Sequence, residues 1–188
     1  NKSMLVYSVY NEQNKLWSVP TPLANDGAPD FYPEMKDGYI VWQKANTTFT
    51  DKSSINDMSR SSEIYVAKWN GSSFDEPIRV TENDAIDTKP TLAVKNDIAY
   101  ITWITNTENN FMGTAGTNSI LTCSFDGSNL SEQTTVASEL TAITNMSASY
   151  TDKLNVYYVT DTDNDYATVT DRDIYSVSGT ETTQITSN

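Results

Sequence analysis

A short strand-turn-strand unit returns four times along the 188-residue chain, and it limits what the chain can fold into more than any other feature. Ile64-Tyr-Val-Ala-Lys-Trp-Asn-Gly-Ser-Ser-Phe74 and Ile120-Leu-Thr-Cys-Ser-Phe-Asp-Gly-Ser-Asn-Leu130 are two copies of it. Ile174-Tyr-Ser-Val-Ser-Gly179 is a third, and Leu16-Trp-Ser-Val-Pro20 a shortened one, at spacings of 48, 56 and 54 residues. Alternation at period two gives each copy one apolar face, the mark of a half-buried strand. Asn70-Gly71 and Asp126-Gly127 supply the positive φ that a tight type I′ hairpin turn demands. Such a unit cannot bury its apolar face alone and has to stack on its neighbours.

Each copy has company. Upstream lies an aromatic strand: Val6-Tyr-Ser-Val-Tyr10, Tyr39-Ile-Val-Trp42, Tyr100-Ile-Thr-Trp103 and Val156-Tyr-Tyr-Val159. Before three of these comes a first strand, led in by Ala28-Pro29-Asp30, Lys89-Pro90-Thr91 and Asn145-Met146-Ser147. A fourth follows the hairpin, as in Pro77-Ile-Arg-Val-Thr81, Gln133-Thr-Thr-Val136 and Thr183-Gln-Ile-Thr186. No stretch has a convincing helical period, so the domain reads as all-β. Four-stranded antiparallel meanders repeated in series are the plan of a β-propeller, complete or partial, with about four blades. The expected single domain, 1–188, divides into a partial blade at 1–27 and blades at 28–86, 87–143 and 144–188. The partial blade supplies only strands two to four. That predicts a fragment or half-propeller, part of a larger propeller and completed by missing sequence or by another chain; a four-bladed ring with one three-stranded blade is the alternative.

The pattern of an x-x-Pro lead-in, Tyr-Ile-x-Trp, a long loop, Ile-Tyr and an Asn/Asp-Gly hairpin resembles the blade repeat of TolB-like and related WD40-like bacterial propellers. The Gly-His and Trp-Asp dipeptides of WD40 repeats are missing, as is the Ser-x-Asp-x-Gly-x-Thr-Trp box of sialidase-like propellers. The resemblance implies a propeller whose top-face loops meet a partner.

Composition removes several functions. Twelve Lys and Arg against 25 Asp and Glu leave a net charge of −13, which repels nucleic acid and anionic membrane surfaces. The absence of His excludes Ser-His-Asp and Cys-His nucleophile pairs and His-ligated zinc. Cys123 is the only cysteine, so no intrachain disulfide forms, and it is expected in the core. The most apolar run, 98–104, is far shorter than the roughly 18 residues of a membrane-spanning helix. The opening Asn1-Lys-Ser-Met-Leu-Val-Tyr7 has no secretory-signal pattern. The expectation of an exported bacterial surface protein comes instead from the abundance of Thr, Ser, Asn and Asp and the scarcity of Lys.

Chemistry is expected in the long loops at 43–63, 104–119 and 160–173, since long loops on a rigid scaffold often carry function. Asp26, Asp30, Asp84 and Asp87 gather at the entrances to the inner strands. A pair of them flanking a glycosidic bond would suit a glycoside hydrolase or lyase using acid-base chemistry. Asp30 and Asp87 occupy equivalent places in consecutive repeats, which equally suits a turn-stabilising role. Asp161, Asp163 and Asp165 alternate as in a loop that wraps Ca²⁺, although Tyr166 stands where the turn glycine belongs and Arg172 where a closing Glu belongs, with Asp171 and Asp173 beside it. Trp42 and Trp103 recur at one blade position and are expected to pack between blades. Phe31, Tyr32, Phe49, Phe111 and Tyr166 do not recur, which makes them candidates for stacking on a sugar or peptide. The first expectation for function is a non-catalytic binding or scaffold module that recognises a glycan or protein and uses no cofactor other than Ca²⁺. The alternative is a carbohydrate-active enzyme of propeller fold.

Overall fold

A computed structural model describes residues 4–46, 55–108, 116–163 and 168–187. Three four-stranded antiparallel meanders dominate it. The first runs β5 (Asp30–Lys36), β6 (Tyr39–Ala45), β7 (Ser62–Lys68) and β8 (Ile78–Arg79). The second runs β9 (Ile86–Lys95), β10 (Ile98–Asn106), β11 (Asn118–Phe125) and β12 (Thr134–Leu140). The third runs β13 (Ile143–Tyr150), β14 (Leu154–Asp161), β15 (Arg172–Ser178) and β16 (Glu181–Gln184). Ahead of them, β1 (Val6–Tyr7) pairs with β4 (Thr21–Pro22) and β2 (Tyr10–Asn11) with β3 (Leu16–Trp17). This segment is a two-stranded ribbon, where the repeat pattern suggested three strands. One short helix, α1 (Ile55–Arg60), lies in the connection between β6 and β7, where no helical period was legible.

The sheets stack through alternate faces. Tyr39, Val41, Ile64, Val66 and Val80 of the first sheet meet Leu92, Ala99, Ile101, Trp103, Cys123 and Phe125 of the second. Ile104 and Ile120 on the far side of the second meet Ile143, Val156, Tyr158 and Val177 of the third. Leu5 and Leu23 of the ribbon pack on Ile40, Trp42 and Ala67. Trp42 and Trp103 are fully buried, as their recurrence implied, and each removes on the order of 200 Å² from water. Innermost strands β5, β9 and β13 lie side by side, so the three sheets radiate like blades.

The structure revises three local expectations. Asn70 and Asp126 do not take positive φ; only Gly71 (φ 102°) and Gly127 (φ 98°) do. The Asn70 and Asp126 side chains instead accept the N–H groups two and three residues on, at 2.7–3.1 Å, which makes both turns wider than type I′. The two-residue turns with both φ values positive are Asp37-Gly38 and Asn96-Asp97, between the first two strands of a sheet. The third repeat is also shifted by one residue: Ile40 and Trp42 correspond to Ile101 and Trp103 and to Val156 and Tyr158, not to Tyr157 and Val159.

That register exposes an asymmetry. Val41, Ile64 and Val80 are 0, 0 and 7% exposed beneath the second sheet, whereas their equivalents Tyr157, Ile174 and Ile185 are 41, 36 and 52% exposed. Equivalence is carried by matching hydrogen bonds: Val80 N–H reaches the Ile64 carbonyl and Ile185 N–H the Ile174 carbonyl, both at 2.7 Å, while Ile64 N–H reaches the Thr81 hydroxyl and Ile174 N–H the Thr186 hydroxyl, at 2.9 and 2.8 Å.

Candidate functional site

Each innermost strand is interrupted by one extra residue. Phe31 pairs with Gln43 and Glu34 with Val41, so Tyr32 and Pro33 stand together opposite Trp42. Thr88 pairs with Ile104 and Thr91 with Thr102, so Lys89 and Pro90 stand opposite Trp103. Ile143 pairs with Thr160 and Asn145 with Val159, which leaves Thr144 as the extra residue of the third sheet. These are β-bulges, which bend a strand and re-aim its side chains. Lys89-Pro90 therefore corresponds to Tyr32-Pro33 and not to Ala28-Pro29. Tyr32 (φ 49°) and Lys89 (φ 50°) both occupy the left-handed region, where a bulky residue costs on the order of 1–3 kcal/mol.

Three bulges facing one another enclose a cleft of about 360 Å³, lined by Tyr32, Pro33, Glu34, Lys89, Pro90 and the 144–146 segment. Tyr32 is half exposed at its edge. Glu34 accepts the Leu92 N–H at 3.0 Å and so ties the first sheet to the second. Lys89 Nζ donates to the Ile143 and Thr144 carbonyls, both at 3.1 Å, and ties the second to the third. Burial holds the Lys89 ammonium below its usual pKa. Phe31 is partly buried in β5, a strand position and not a loop. Phe49, Phe111 and Tyr166 lie outside the described residues.

The candidate acids separate by environment. Asp30 Oδ1 accepts the Trp42 indole N–H at 2.9 Å, and its Oδ2 accepts the Leu5 N–H at 3.2 Å. Asp87, fully buried, accepts the Trp103 indole N–H at 3.0 Å and the Asn83 amide at 2.9 Å. Burial lifts the Asp30 carboxyl above its usual pKa despite the Leu5 and Trp42 donors. Asp26 lies on the loop before β5; burial works against its charge, but Lys44 at 2.6 Å and the Ala28 N–H outweigh it and lower the pKa. Asp84 is exposed in the loop before β9. The third sheet replaces both members of the Asp-Trp pair at once, with Ile143 and Tyr158 in one apolar cluster.

At the loop end of the third sheet, Asp161 and Asp163 lie together with Asp171. Asp165 lies outside the described residues. Asp161 pairs with Arg172 across β14 and β15, its Oδ2 3.2 Å from the guanidinium Nε. The sequence signal for Asp171 was its place beside Arg172. For Lys89 and Glu34 the signal was weaker: one reads as part of a strand lead-in and the other as a solvated strand residue.

No protein-family model matches the sequence, and no curated protein sequence matches it. Solved structures do. A point mutant of a Synechocystis apocarotenoid oxygenase superposes with a TM-score of 0.59 at 11% identity, over 98% of this chain and 44% of that one. A Trypanosoma rangeli sialidase in complex with sialic acid gives 0.53 at 11% identity, over 98% and 33%. A thermostable family-43 glycoside hydrolase fits more loosely, at 0.47 and 15% identity over 96% and 70%. With the sheet topology, the likeness establishes the fold as a β-propeller architecture. The chain spans less than half the length of the oxygenase and the sialidase. Among the described residues, no helix is long and apolar enough to cross a membrane.

Proposed function

We propose that this chain is a non-catalytic binding module of an exported protein and that it recognises a glycan at the cleft between its innermost strands. The observation that carries the reading is the cleft's construction: three bulges surround it, and both charged side chains lining it, Glu34 and Lys89, already bond to backbone of the next sheet. An acid-base pair needs two carboxylates with room for a substrate between them. Here Asp30 and Asp87 hold indoles, and Glu34 holds an amide. Groups suited to holding a sugar are present: the half-exposed Tyr32 ring for stacking, and Thr144 and Asn145 for hydrogen bonds. The composition, rich in Thr, Ser, Asn and Asp, supports export.

Titration with a panel of neutral and acidic oligosaccharides, followed by calorimetry, tests this. The expected result is binding that Tyr32→Ala weakens at least tenfold with no loss of melting temperature. Undiminished binding by that variant would remove the cleft from consideration. Turnover of a glycan that disappears in Glu34→Gln or Asp87→Asn would establish the enzyme reading instead.

A further inference from the structure

We propose that the loop end of the third sheet binds a divalent cation, calcium by its donor chemistry, through Asp161, Asp163 and Asp171. Each of the three offers one carboxylate oxygen, and these oxygens lie within 4.8 Å of one another. Two oxygens on one calcium ion at about 2.4 Å are at most about 4.8 Å apart, so every pair of the three lies within the span of a single ion.

A second observation is independent of that clustering. Asp161 is wholly buried, and its Oδ1 has no hydrogen-bond partner. A carboxylate oxygen withdrawn from water without a donor is costly, and Arg172 serves only Oδ2. Comparison with the other sheets shows that the position does not require a charge. The equivalent cross-strand pair is Ala45 with Ser62 in the first sheet, and in the second it is Asn106 with Asn118, whose Oδ1 accepts a hydrogen bond from the Asn106 Nδ2 at 3.0 Å. Those pairs leave no orphaned charge. The third sheet instead buries a carboxylate with a bare oxygen beside two more acids.

Charge and exposure fit the same ion. Three carboxylates against the Arg172 guanidinium leave two negative charges, which a divalent cation neutralises. An all-oxygen set with no nitrogen or sulfur donor suits a hard cation and not zinc. Asp163 is exposed and Asp171 partly so, which leaves room for the waters that complete a coordination of six to eight. Asp171 is also held in place, accepting the Asp163 N–H and the Thr168 hydroxyl, both at 3.3 Å.

The test uses calcium chloride alone. Chelator-treated protein in 150 mM salt is titrated calorimetrically and its melting temperature followed, with magnesium chloride in parallel. One calcium per chain, and a rise in melting temperature of about 5 °C at saturating calcium, are expected. Asp163→Asn and Asp171→Asn each weaken binding at least tenfold and lose the rise; Asp126→Asn, a carboxylate in a distant turn, changes neither. Absence of heat and of any rise at millimolar calcium overturns the proposal. So does binding that both variants retain, which would mark diffuse association with an acidic surface. Glycan binding measured in chelator reports on the cleft separately.

Discussion

Replacing Asp87 with alanine probes the division between scaffold and site most directly. The carboxylate is fully buried and accepts the Trp103 indole N–H at 3.0 Å and the Asn83 amide at 2.9 Å. Trp103 is itself fully buried, so the alanine variant leaves its N–H with neither acceptor nor water. A hydrogen bond to a charged group contributes about 1.5–3 kcal/mol, and a stranded buried donor costs about 1–3, so a loss of about 3 kcal/mol is expected. For a domain of this size, that corresponds to a fall of roughly 10 °C in melting temperature. Asp87→Asn keeps an acceptor and should cost only about 1 kcal/mol. Trp103→Phe removes the donor, so the double variant with Asp87→Ala should be less damaged than the sum of the single variants, with a coupling of about 1–3 kcal/mol. Urea unfolding followed by tryptophan fluorescence reads all four proteins. A melting temperature for Asp87→Ala within 2 °C of the parent, or strict additivity in the cycle, would refute the buttress argument.

Other outcomes follow from other parts of the molecule. Burial pushes the Cys123 thiol up to about 12, so a thiol reagent at pH 8 should leave the folded chain unlabelled and react fully only in denaturant; rapid native labelling would contradict its place between the first two sheets. Burial raises the Glu63 carboxyl above its unfolded value of about 4.5 despite Thr81 and Arg79, so the folded state holds that proton more tightly than the unfolded state. Its contribution to stability is therefore present below pH 4.5 and lost as pH rises through the raised value. Urea midpoints between pH 4 and 7 should fall relative to those of Glu63→Gln across that window, and parallel profiles would refute the assignment. The outer face of the third sheet should tolerate change: Ile174→Ser and Ile185→Ser are each expected to cost less than about 1 kcal/mol, whereas Ile64→Ser, at the buried equivalent, should cost more than 3. Light scattering on the same variants would show whether that face also drives self-association.

The meander and its order were legible because strand alternation and turn residues are local signals, and four copies reinforce one another. Register was less legible. Tyr157, Tyr158 and Val159 are all good strand residues, and only packing against Ile104 and Ile120 selects Val156 and Tyr158 as the inward pair. Asn-Gly and Asp-Gly mark the places of the turns at Asn70 and Asp126 but not their geometry, since an Asn or Asp side chain can accept N–H groups and widen a turn as readily as it can adopt positive φ. The equivalence of Asp30 and Asp87 is legible in the repeat, but the tryptophans that explain it sit 12 and 16 residues away and meet them only across a strand pair.

The cleft was invisible for a deeper reason: nothing in Tyr32-Pro33, Lys89-Pro90 or Thr144 announces a bulge. Each holds one extra residue, identifiable only against the partner strand. Proline supplies part of the cause, because it cannot donate to the ladder, and the residue before it is pushed away from helical φ and ψ. The third sheet has no proline there, and its one extra residue falls between Thr160 and Val159 and not opposite Tyr158, which pairs directly with Met146. It has also exchanged its Asp-Trp pair for Ile143 and Tyr158, so the two differences occur in the same sheet. A bulge placed opposite the tryptophan and the indole buttress thus belong together: two residues stand opposite each tryptophan, and the aspartate two residues before the bulge accepts that tryptophan's N–H. Converting the third sheet to the pattern of the first two would therefore require changing the bulge and the pair jointly, and either change alone should destabilise the chain.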